Sequence, residues 1–138
     1  MIRQIASFLL TLSLGAASPS YAESIDVDKV LVMEGVIAQG NILPLGKEML
    51  NRAAQGDSSV QLIINSPGGE IVTGFMFLNL MKAAQEKGLK VKCYVGSIAA
   101  SMAFQILLAC DERHTLSHSF LLWHRARVNL GGLFGSPI

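Results

Sequence analysis

The chain has 138 residues, 51% of them hydrophobic and 15% charged, with a formal net charge of +1. That is enough chain for one ordinary domain with a buried core, and it excludes a disordered polypeptide. The near-zero charge, with no basic stripe, excludes nucleic acid as an expected partner.

Residues 1–22 stand apart from the core. Arg3 supplies a positive start, Ile5 to Ala17 is apolar with only Ser and Thr interrupting, and Ser20-Tyr21-Ala22 places small residues where a signal peptidase reads. The stretch is short for a membrane span. It predicts a cleaved signal peptide over 1–22, with an uncleaved anchor as the alternative, and a domain over 23–138. The expected location is exported, periplasmic or secreted. Removing 1–22 removes only Arg3 among the charges and leaves ten basic and ten acidic residues.

In the domain, Lys29 to Glu34 (KVLVME) is a short β-rich run ended by Gly35. Leu45 to Ala54 predicts a helix, with Pro44 at its start and Gly56 as its stop. Val60 to Asn65 (VQLIIN) is a continuous apolar run of strand length, as in a strand buried on both faces. SPGG breaks it. Val72 to Glu86 carries apolar residues at 72, 75, 76, 78, 80, 81 and 84 and predicts a buried helix, with Met76 in the core. Val91 to Val95 (VKCYV) predicts a strand followed by a turn. Ser101 to Ala109 predicts a helix, and Phe120 to Trp123 (FLLW) a last strand with Trp123 in the core. Strands alternating with helices imply βαβ crossovers and a mainly parallel sheet. Ligands of such sheets gather where strands end and helices begin. The turns after Asn65 and Val95 lie at that edge.

Three stretches carry candidate chemistry. In NSPGGE, Gly69 has no side chain, so its N–H can approach a ligand closely, although SPGG also makes a good turn on its own. In GSIAASMAF, Ser101 opens a helix. Its hydroxyl can cap that helix, the commonest job there. It can equally act as a nucleophile, with the Met102 N–H among the unpaired donors of the first turn. His124 ends FLLWH at the same sheet edge. Imidazole titrates near neutrality and suits the base that serine needs.

INSPGGEIVTG, then IAASMA, then LLWH resemble, in order and spacing, the ClpP family of serine peptidases, from about Lys29 to Arg127. The resemblance implies a ClpP/crotonase-type α/β spiral of βαβ units, incomplete at the C-terminus. It implies Ser101 as nucleophile, His124 as general base, and the Gly69 and Met102 amides as the oxyanion hole. Ser97 would be a neighbour in the turn. The substrate would be a peptide or unfolded protein laid extended along the glycine-rich edge, beside Gly68 and Ile71. No metal or cofactor is implied, and a homo-oligomer is an open expectation.

The chain departs from the family pattern in four ways. Ser97 stands where the family has glycine, which sits one place earlier as Gly96, and Ala103 replaces a common glycine. No Asp or Glu follows His124, although the family's triad acid does. The expected explanation is a truncated sequence. The alternative is a Ser-His dyad whose imidazole is oriented by a group such as a backbone carbonyl. Export separates the chain from ATP, so an ATP-driven unfoldase is not expected as a partner. The rival functions are an inactive ClpP-like binding or assembly module, a Ser-Lys protease of signal-peptide-peptidase type using a lysine such as Lys82, and acyl-CoA chemistry of the crotonase kind.

Cys93 and Cys110 lie on a strand and at the far end of the next helix. If the two run antiparallel the sulfurs can meet, but two separate buried thiols are the favoured expectation. His114 and His118, in a strand and turn, lose the helical spacing that would suit a metal. Asp26, Asp28 and Asp57 read as solvated loop charges.

Overall fold

The computed structural model describes residues 25–125. The signal peptide predicted over 1–22, and the tail in which a triad acid was sought, lie outside the described residues. After a single 3-10 turn at Val27–Lys29, the elements are β1 (Val30–Glu34), α1 (Gln39–Gln55), β2 (Ser59–Ser66), α2 (Ile71–Glu86), β3 (Lys90–Ala100), α3 (Met102–Leu108), β4 (Glu112–Thr115) and β5 (Phe120–Leu122).

The five strands form one sheet in the order β1-β2-β3-β4, with β5 also on β3, and every pairing is parallel. This is the mixed α/β architecture expected from the alternation. β1 and β3 alternate between buried and more exposed residues, whereas in β2 only Ser59, Ile63 and Asn65 are even partly open. The central position of β2 accounts for its unbroken apolar sequence. The core is filled by Met33, Ile37, Ile42, Met49, Leu62, Ile64, Phe77, Met81 and Ile106. Helices α1 and α2 cross closely at Gly46, where an added Cβ would come within 2.9 Å of Leu80.

Three expectations about element bounds and core membership are corrected. First, α1 begins at Gln39, six residues before Leu45, and contains Pro44 rather than starting at it. The Asn41 side chain sets this start by accepting from Ala38 N–H and donating to the Val36 carbonyl. Second, β3 does not end at Val95 but runs on through Ser97 to Ala100, so Ser97 is a strand residue. The register against β2 slips between Ile64↔Val95 and Ser66↔Ala99, which marks a bulge around Gly96 to Ile98. On the opposite edge, β4 pairs with 92–95 and β5 with 98–100. Ser119 spans the change of partner, with Oγ 3.1 Å from the Val95 carbonyl and 2.9 Å from that of Gly96. Third, Met76 and Trp123 are not core residues. They are 44% and 59% exposed, because α2 turns Thr73, Gly74, Phe77, Met81 and Ala84 inward and Trp123 follows an edge strand.

Cys93 and Cys110 form a disulfide, with Cα atoms 6.0 Å apart, which corrects the expectation of two separate thiols. The helix α3 folds back along β3, so the strand residue and the helix end stand over each other.

Candidate active site

The sheet pairing brings the ends of β2 and β3 together. The SPGG turn is set by Ser66, whose hydroxyl accepts from Gly68 N–H at 3.1 Å. Gly68 takes φ 96°, open to glycine at no steric cost, and an added Cβ would stand 2.6 Å from Ser101 Cβ. Gly69 makes a parallel bridge with Ile37. Ile37 N–H donates to Gly68 O at 2.8 Å, and Glu70 N–H donates to Ile37 O at 3.0 Å. In that pattern the two groups of Ile37 face the turn, so the N–H and C=O of Gly69 point the other way. A Cβ on Gly69 would approach Ile37 O within 2.4 Å, so the close pairing requires glycine.

Ser101 lies between β3 and α3 at φ 54°, ψ −120°, the single non-glycine residue with positive φ among those described. Conformations of this kind persist only where the surroundings enforce them, and they cluster at functional sites. Ser101 caps α3 by position, yet its hydroxyl makes no cap hydrogen bond. The commonest structural use of a serine at this place is therefore absent. Its N–H donates to the Leu122 carbonyl at 2.8 Å, which ties β5 to the elbow. Two residues beyond Leu122, His124 enters the same region. Its Nδ1 is 2.7 Å from the Arg125 carbonyl. A carbonyl can only accept, so Nδ1 is the donor in this bond, and Nε2 is the ring nitrogen left open to another partner.

Pro67, Gly69, Ile71, Phe75, Ser101, Met102, Gln105 and His124 line one cleft of about 360 Å³. Of the residues singled out from sequence, Ser101, His124, Gly69, Met102 and Ile71 are thus together. Gly68 lies buried behind Ser101. The Met102 side chain is seated in a notch left by Gly74, where an added Cβ would be 2.3 Å from Met102 Cγ. Phe75 and Gln105 were not singled out, although each lies four residues beyond a site residue, Ile71 at the start of α2 and Ser101 at the cap of α3.

Other candidates fall elsewhere. Lys82 is outside the cleft and pairs with Glu86 at 3.5 Å, which removes it as a base for Ser101. His114 stacks on Tyr94 with ring centroids 4.7 Å apart. Asp26 pairs with Lys29 at 3.3 Å.

The parallel sheet and the serine elbow at the end of its third strand define an α/β protein of the ClpP-like fold. The family model for Clp protease matches residues 21–135, and the chain belongs to that family. Among solved structures, it is similar to the ClpP protease catalytic domain from Plasmodium falciparum, with a TM-score of 0.62 and 21% identity. That similarity covers 69% of this chain and 54% of the other, so the chain spans about half the length of that structure. At this identity the likeness is one of fold.

Proposed function

We propose that the chain is a serine-type endopeptidase acting on peptides or unfolded proteins. The observation that carries this reading is the uncapped, positive-φ Ser101 lining one cleft with His124, whose Nδ1 is already committed to a carbonyl. Ser101 Oγ attacks the scissile carbonyl carbon while His124 Nε2 takes the hydroxyl proton. The Gly69 and Met102 N–H groups stabilise the oxyanion, and one such donor is worth about 3 kcal/mol of barrier. The imidazolium returns the proton to the leaving amine. Water, deprotonated by the same nitrogen, then releases the acyl group. The Arg125 carbonyl does the orienting work of a triad acid but brings no full charge to the imidazolium. The outward-turned N–H and C=O of Gly69 offer strand-like pairing to an extended substrate beside Gly68 and Ile71.

Export through a signal peptide at 1–22 is part of this proposal. It is supported by the Cys93–Cys110 disulfide, since such bonds persist in oxidising compartments. An ATP-driven unfoldase is then not the partner, and association with further copies of the chain is part of the same reading.

A fluorophosphonate probe tests the proposal. The oxidised protein should be phosphonylated at Ser101, and Ser101→Ala should abolish the labelling. His124→Ala should lower kcat/KM on a fluorogenic peptide by at least about 10³, whereas Lys82→Ala should leave it unchanged. A folded protein that takes no label would instead be an inactive binding or assembly module.

A further inference from the structure

We propose that the Cys93–Cys110 disulfide is a positioning element for Ser101, so that the competent serine exists only in the oxidised chain. The inference rests on the peptidase reading for its consequence and on geometry for its substance. The bond closes a loop of sequence separation 17 with Ser101 at its middle, eight residues after Cys93 and nine before Cys110. That loop holds the β3 bulge, the strained serine and the whole of α3. A helix of seven residues has little stability of its own, and a positive-φ serine must be held by its surroundings. Both cysteines are buried, at 0% and 3% exposure, so the clasp acts from inside the core.

The other ties at that end of the loop are the buried side chains of Ile106 and Leu107 and a set of hydrogen bonds. Asp111 N–H donates to Val91 O at 2.9 Å, its carboxylate accepts from Val91 N–H at 2.7 Å, and the Gln85 amide donates to Ala109 O at 3.1 Å. They keep the end of α3 over β3 when the clasp is open. The reduced chain therefore stays folded, at lower overall stability, and loses the fixed setting of the elbow. Closure is thiol–disulfide exchange: the two thiols give up two protons and two electrons to a disulfide oxidant through a mixed disulfide, and the oxidant leaves as its dithiol. A chain made under reducing conditions would thus be held inactive until it met such an oxidant.

The test compares oxidised protein, dithiothreitol-reduced protein with its free thiols counted, and the Cys93→Ala/Cys110→Ala variant, all at a temperature where circular dichroism shows each folded. Without the bond, amide hydrogen exchange over residues 96–108 should accelerate at least tenfold more than exchange in β2 and α2, whose amides follow only the shared loss of global stability. Fluorophosphonate labelling of Ser101 should slow at least tenfold, kcat on a peptide substrate should fall with KM little changed, and reoxidation should restore both in the reduced protein but not in the variant. Equal exchange over 96–108 in all three forms would overturn the proposal, as would faster exchange spread evenly over the domain. If the oxidised protein takes no label, the peptidase reading falls, and the exchange data alone decide the positioning claim.

Discussion

Gly68 is where the geometry of the cleft is most sensitive to one atom. It is buried, its φ of 96° is unfavourable for any side chain, and its missing Cβ leaves the space that Ser101 Cβ and the Ala100 carbonyl occupy. Gly68→Ala combines backbone strain with overpacking, each typically about 1–3 kcal/mol. It should lower unfolding free energy by about 2–4 kcal/mol in urea titration and slow labelling of Ser101, because the added methyl pushes on the serine itself. The glycines of SPGG were legible from sequence, and so was the chemistry offered by Ser101 and His124. The partner of His124 was not, because a main-chain carbonyl leaves no mark in side-chain identity. A carbonyl as a substitute could be foreseen as a type, but not as Arg125. The exclusion of capping for Ser101 needed coordinates too, since a capping serine and a nucleophilic one occupy the same sequence position.

Strand β3 organises the elements around the site. Its first half pairs with β4 and its second with β5, and the bulge between them turns the strand end toward SPGG. Gly96-Ser97 reads locally as a turn. Pairing to β2 on one side and β5 on the other overrides that local preference, so the strand was predicted too short. Pro44 misled in a similar way: proline favours helix starts, but the Asn41 side-chain bonds fix the start of α1 earlier. The apolar runs of β2 and α2, by contrast, were legible because burial dictated them, although the periodicity of α2 did not separate its inward face from Val72, Phe75 and Met76.

At the open end of the β3–β4 pair, Lys90 Nζ lies 2.5 Å from a Glu112 carboxylate oxygen. The Lys90 hydrogen bond and charge, with smaller help from Lys92 and His114, hold the Glu112 carboxyl below its ordinary value of 4.5. A group with a lowered folded-state pKa adds stability that is complete above the unfolded value and is lost as pH falls through the folded one. Lys90→Ala should therefore move the Glu112 titration, followed by carboxyl NMR, up toward 4.5. The stability difference between the two proteins should vanish at acidic pH. Both groups are in contact with solvent, so the effect on unfolding at neutral pH should be small.

Across the whole molecule, the pairing of β2 and β5 with β3 brings three distant segments into one cleft, SPGG after β2, Ser101 after β3 and His124 after β5, and the disulfide closes the loop that carries Ser101. A closed loop of this size stabilises a domain by about 3 kcal/mol in the chain-entropy account. For a domain of about 100 residues that corresponds to a fall in Tm of about 10–20 °C on reduction, readable by calorimetry with and without dithiothreitol. The pairing was undecided in the sequence, because two cysteines on adjacent elements meet only if the helix folds back directly over its own strand. The central claim, that Ser101 Oγ and His124 Nε2 act together on one bound substrate, is tested most directly with a peptide chloromethyl ketone, whose warhead alkylates an imidazole only after an adjacent serine has captured its carbonyl. Mass mapping should find the adduct on His124 in the unaltered protein, with its formation slowed at least a hundredfold in Ser101→Ala. An unmodified His124, or one alkylated equally fast in both proteins, would mean that the two side chains do not share a substrate.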